Sequence, residues 1–218
     1  EAFKDFYLNA KGLGRYLGQK QRGHKWMALC AFAFSAQYAL EMGADAVLLE
    51  RNNDEVSGSM PGLAMIRGAA AQHDGKEWGI DISTWRYWND APTVYASGKL
   101  VTGWSTSTFK RNLYISYMGG AEIVHFEAAD FTTGPAAGSD LNPLGQTLGD
   151  FYDFAVTRHP ARGTPYVPMA VMQDHHSGFE PRFGEWMQAP SKWYWSNPYS
   201  PGDRMFANLL DLVYPDHH

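Results

Sequence analysis

Two acidic residues in this chain share one local frame. Gly43-Ala44-Asp45-Ala46-Val47-Leu48-Leu49-Glu50 aligns with Gly120-Ala121-Glu122-Ile123-Val124-His125-Phe126-Glu127 as G-A-[D/E]-x-V-x-x-E. Each copy follows a helix-type segment that closes on Met-Gly, at Met42-Gly43 and Met118-Gly119. A helix–Gly–strand–acid unit that recurs is what alternating βα units produce. It sets Glu50 and Glu127 at the carboxyl ends of two strands with the same pleat phase, and in barrels that end carries the chemistry. One further strand-type run, 78–83, lies between the copies. Strands two apart have backbones ~9–10 Å apart, so inward-leaning side chains bring the carboxyls to within roughly 5–9 Å, an interval that covers both retaining and inverting glycoside hydrolysis. Such a pair supplies a proton donor and a nucleophile or base. Glu127, flanked by His125 and Asp130, is the expected nucleophile or base and Glu50 the proton donor, with exchanged roles left open. The plain alternative is that each Glu ends a strand and pairs with a Lys or Arg, and the chain is then a non-catalytic carbohydrate-binding or oligomeric scaffold piece.

Other residues would complete such a site as substrate contacts. Asp81, in the intervening strand, is either a third carboxylate or a core acid bonded to a neighbour. Trp85, Tyr87 and Trp88 follow that strand and would form a platform for a sugar ring, or else pack a loop against a helix; Trp104 stands in similar Gly/Ser surroundings. His125 lies inside a strand, where a hydrogen-bonded core histidine is the ordinary reading. Asp174-His175-His176 follows the last strand-type run, with Asp174 and His175 counted as substrate contacts. His175 and His176 alternatively belong to a metal-dependent hydrolase or lyase. Neighbours on an extended chain point oppositely, however, and no H-E-x-x-H helix supports a metal. No G-x-G-x-x-G or P-loop opens a helix, and no G-x-S-x-G elbow surrounds Ser35 or Ser83. No cofactor and no metal are expected.

The elements that must hold these residues alternate. Helical periodicity covers 3–19, 25–42, 60–73, 106–118 and 143–158, and a short helix falls near 202–213. Apolar strand-type runs cover 46–50, 78–83, 123–126 and 166–173. Strict alternation with apolar strands predicts an α/β fold: a parallel sheet covered by helices, TIM-barrel-like. An eight-stranded barrel takes about 250 residues. A chain of 218 residues with about four βα units therefore predicts a partial barrel over 1–160, or else a smaller open sheet of four strands. Residues 161–218 form a strand and an aromatic-rich extension that packs on the barrel or opens a second domain.

Composition narrows the partners. The net charge is −5 with no run of Lys or Arg, which argues against a nucleic-acid surface. No stretch approaches the ~20 apolar residues that cross a bilayer. Cys30 is the single cysteine, so no internal disulfide forms. Aromatic residues make up 15% of the chain, and Trp85, Trp88, Trp104, Trp186, Trp193 and Trp195 fall in Gly/Pro/Ser/Asn-punctuated stretches, where sugar stacking is a common use. The expected partners are a carbohydrate substrate and a second chain, as a homo-oligomer or another subunit that completes the fold. Removal of an N-terminal segment would fit a secreted or periplasmic location.

The runs GAAAQHDGKEWGIDISTW (68–85) and YISYMGGAEIVHFEAADF (114–131) resemble the last two strands of barrel glycoside hydrolases. The organisation is most similar to β-galactosidases that carry a trimerisation domain after the barrel, over residues 43–181. That resemblance implies a (β/α)8-barrel glycosidase whose C-terminal part is present here. The chain departs from the pattern where a nucleophilic Glu follows the Gly-Lys strand, because Asp81, Ile82 and Ser83 stand there. The family's acid/base belongs to a strand that would precede these. The pair Glu50 and Glu127 therefore comes from the internal repeat, not from the resemblance.

Overall fold

The computed structural model describes residues 25–30, 35–51, 59–83, 94–96, 99–102, 106–127, 131–132 and 139–172, with single positions at 23, 175, 201, 205, 208, 209, 212 and 213. Its elements are β1 (Met27–Cys30), α1 (Ser35–Glu41), β2 (Ala46–Arg51), α2 (Ser59–Gln72), β3 (Glu77–Ser83), β4 (Val94–Ala96), β5 (Lys99–Thr102), α3 (Thr106–Met118), β6 (Ile123–Glu127) and α4 (Pro143–Tyr152). A π-helical turn, Asp153–Arg158, continues α4.

The protein is a mixed α/β fold. β1, β2, β3 and β6 form one sheet in that order, and every pair in it is parallel. β4 and β5 make a separate antiparallel hairpin between β3 and α3. The runs 46–50, 78–83 and 123–126 are thus adjacent parallel strands in chain order, with α2 and α3 between them, as expected from alternation and right-handed crossovers.

Three expectations are corrected. Residues 25–42 are not one helix: Met27–Cys30 is the outer strand β1, and the helix is confined to Ser35–Glu41. The run WMALCAFAF is apolar at every position, so it satisfies a helical and a strand pattern equally. Pairing decides it, because the Trp26 carbonyl accepts the N–H groups of Asp45 and Ala46 while Asp45 Oδ2 accepts the Trp26 N–H at 2.8 Å. The run 166–173 in turn forms no ladder over its described residues 166–172, which are exposed. Pro165 and Pro168 remove ladder donors, so the segment cannot serve as a central strand. The expected helix 143–158 loses its α geometry after Tyr152. The helix expected at 3–19 lies outside the described residues, and the described positions between 201 and 213 are helical.

Among the described residues, helices α1 to α4 pack on one face of the sheet. Val47 and Leu49 of β2, Trp78, Ile80 and Ile82 of β3, and Val124 and Phe126 of β6 join Ala36, Ala39 and Leu40 of α1 in one apolar cluster. Leu63, Ile66 and Ala70 of α2, Phe109, Leu113 and Tyr117 of α3, and Leu144 and Phe151 of α4 complete it. Gly62 lets α2 close on the sheet, since a Cβ there would stand 2.8 Å from Leu49 Cδ2.

The sequence repeat is a repeat of structure. Gly43 and Gly120 have φ of 99° and 102°. In each case the glycine N–H bonds to the carbonyl three residues back (Leu40, Tyr117) and the following Ala N–H to the carbonyl five back (Ala39, Ser116). These are twin Schellman caps. The next residue, Asp45 or Glu122, then donates its N–H to the carbonyl of a tryptophan on the neighbouring strand's approach, Trp26 or Trp78. Around the second cap Arg162 adds hydrogen bonds to the Gly120 and Ala121 carbonyls and lies over the Tyr117 ring.

Candidate active site

The alternation of β2, β3 and β6 sorts their side chains cleanly. One set enters the helix-covered core; the other set, on the opposite face, is Ala46, Leu48 and Glu50, then Glu77, Gly79 and Asp81, then Ile123, His125 and Glu127. Apart from Glu77 at the start of β3, the charged members of this second set and His125 gather toward the carboxyl ends of the strands. Glu50 is in register with Asp81, and Asp81 with His125, so these three form one cross-strand row. Glu127 lies two residues beyond His125, in register with Ser83. The structure therefore places both repeated glutamates on the same face, with β3 between them.

Inside the row Asp81 and His125 are bonded, Oδ1 to Nδ1, at 2.8 Å. They differ sharply in exposure: the Asp81 side chain is 0% exposed and that of His125 is 44%. Glu50 is half-buried and Glu127 exposed. Asp81 Oδ2 has no hydrogen-bond partner among the described residues. Burial pushes the Asp81 carboxyl above the usual carboxylate range; the His125 hydrogen bond and charge oppose this, and the nearby Glu127 charge adds to the rise. Gly79, two residues before Asp81, sits against β6 so closely that a Cβ would stand 2.0 Å from the Ile123 carbonyl oxygen. Glycine there lets β3 and β6 approach, which keeps Asp81 beside His125.

The remaining candidates fall elsewhere. His175 is held on α1: its Nε2 meets Glu41 Oε1 at 2.6 Å, its carbonyl accepts from Gln37 Nε2 at 3.0 Å, and its ring stands edge-on to Tyr38. It thus belongs to the helical layer, across the sheet from the acidic row. Trp85, Tyr87, Trp88, Trp104, Asp130, Asp174 and His176 lie outside the described residues. No group of three or more His, Cys, Asp or Glu placed to hold a metal occurs among the described residues. No helix of the described residues is long and apolar enough to cross a membrane.

Residue by residue, the sequence singled out Asp81 and His125 but not their bond. The signal that joins them is register: Glu122 follows the Trp78 carbonyl as Asp45 follows that of Trp26, which fixes β3 against β6. Comparison with protein-family models, with curated proteins and with solved structures returns no match.

Proposed function

We propose that this chain is part of a (β/α)-barrel hydrolase that cleaves a glycosidic bond with two carboxylates, Glu50 and Glu127. The observation that carries the reading is their shared placement at the carboxyl ends of parallel strands, on the face opposite the helices. Doubly wound sheets reverse strand order and carry helices on both faces. Among the described residues the order runs one way and the helices lie on one side.

The repeat supports closure into a barrel. It equates Glu50 with Glu127, although register sets Glu50 level with His125, two residues earlier. The same climb appears from Trp26 to Trp78: Met27 is level with Glu77 through Ala46, while its counterpart after Trp78 is Gly79. Each copy therefore advances two residues over two strands. One residue per strand, carried around about eight strands, gives the shear of 8 that (β/α)8 barrels have.

In this mechanism Glu50 protonates the leaving oxygen and Glu127 acts from the other side of the sugar ring. Two strand spacings and a two-residue offset separate their backbones by roughly 12 Å, and side chains leaning inward reduce the carboxyl separation to about 6–9 Å. That range favours inversion, which leaves room for a water, over the ~5–5.5 Å of retaining enzymes. The test is reducing-end release from a panel of neutral oligosaccharides by the wild-type chain and by Glu50→Gln and Glu127→Gln. Each variant should lose roughly two to four orders of magnitude in turnover while still binding the sugar. Full turnover in either variant removes that residue from the mechanism.

A further inference from the structure

We infer that Asp81 and His125 form a proton-transfer dyad, in which Asp81 is a positioning residue and His125 Nε2 takes a proton from a hydroxyl held at the carboxyl ends of β3 and β6. The pair sits on the face and at the strand ends that carry Glu50 and Glu127, but none of its own geometry depends on those residues being catalytic.

The division of labour follows from burial. Asp81 is closed off from solvent and spends Oδ1 on His125 Nδ1 at 2.8 Å, while the His125 ring is 44% exposed. An ionised carboxylate can only accept, so Nδ1 carries the ring's hydrogen and Nε2 is left as the basic nitrogen. A core histidine satisfied by its neighbours would be buried on both edges; this ring is anchored on one edge and open on the other. The anchor itself is costly, since Asp81 Oδ2 is buried without a partner among the described residues. A buried carboxylate with one hydrogen bond is poor design for stability and useful design for stabilising an imidazolium. Among the described residues, the charged groups on this face at the strand ends are Asp81 on β3, Glu50 in the same row on β2, and Glu127 two residues on along β6.

The step balances without any further reagent. An O–H bond of water breaks as its oxygen bonds to the anomeric carbon; the proton passes through Glu127, the base of the pair, to His125 Nε2, where an N–H bond forms. The glycosidic C–O bond breaks, and its oxygen takes the proton of Glu50. That assignment rests on the two-carboxylate reading for its substrate, whereas the protonation of the ring does not.

Two measurements on the full chain separate the claims. In 15N-resolved imidazole spectra of the wild type at neutral pH, His125 should be the Nδ1–H tautomer, and diethyl pyrocarbonate should modify it at Nε2 at least about fivefold more slowly in Asp81→Asn. The Nε2–H tautomer, or an unchanged modification rate, overturns the dyad. On a glycoside that the wild type hydrolyses, His125→Gln should lower kcat by roughly 100-fold or more and move KM little. Full kcat in that variant overturns the proton-transfer role even with the tautomer as expected. If no glycoside is hydrolysed, the two-carboxylate reading fails, and the dyad is still decided by the tautomer and the modification rate.

Discussion

Asp81 combines the worst position for a charge with the best position for holding a ring. Its carboxyl is raised above its ordinary range chiefly by burial. In linkage terms, a folded value above the unfolded one of ~3.9 contributes stability that is present below the unfolded value and lost as pH rises through the folded one. Asp81→Asn keeps the shape and the Oδ1 acceptor but removes the buried charge. Urea unfolding at pH 3.5 and at pH 7 should therefore show the variant gaining on the wild type as pH rises. Parallel stability at both pH values would sink this account. The same variant should be the less active one, a stability–activity trade expected where a polar group is kept for chemistry. The glutamates yield a second prediction. Their spacing favours an attacking water, so the first-formed sugar should carry the inverted anomeric configuration in 1H spectra taken before mutarotation; retention would place the carboxyls nearer than the backbone allows.

Two glycines hold the elements that hold these residues. A Cβ at Gly79 would strike the Ile123 carbonyl oxygen and its carbon, at 2.0 and 2.8 Å, and backbone of a central pair cannot yield locally. Gly79→Ala should cost about 3 kcal/mol or more, as severe overpacking does, and should separate Asp81 from His125. Gly120→Ala combines a φ of 102° with a contact of 3.0 Å to Pro165 Cγ; a cost of about 1–3 kcal/mol is expected from the strained backbone. Chemical denaturation of both variants checks the ranking, which is overturned if Gly120→Ala is the more damaging. Much at this scale was legible in the sequence. Alternation in EWGIDIS and IVHFE, and the Gly-Ala word before each acid, give β2, β3, β6 and the side on which Glu50, Asp81, His125 and Glu127 fall. β1 was hidden because WMALCAFAF has no polar residue to reveal a period, and only pairing with β2 through Asp45 separates strand from helix. The Asp81–His125 bond was hidden for a related reason: register between strands is a tertiary fact, written by hydrogen bonds of Trp78 and Glu122 rather than by either residue's neighbours.

At the scale of the whole molecule, a parallel sheet with helices on one face is stable only when its second face is also covered. On that second face Met27 and Leu29 of β1 are exposed, whereas Ala46, Leu48 and Asp81 beside them are buried. After the last helical turn the chain presents another apolar surface: Tyr166 is 89% and Met172 96% exposed, and Val167, Met169 and Val171 between them are exposed as well. Five large apolar residues within seven positions form a patch of the kind that marks an interface. We therefore predict that the chain associates with a second copy of itself, through an interface of more than ~1,000 Å² with an apolar centre. Sedimentation velocity at micromolar concentration should show a species heavier than one chain, and a Met169→Glu/Met172→Glu variant should return it to one chain with β2, β3 and β6 still folded. A wild-type chain that sediments as a monomer would refute the association.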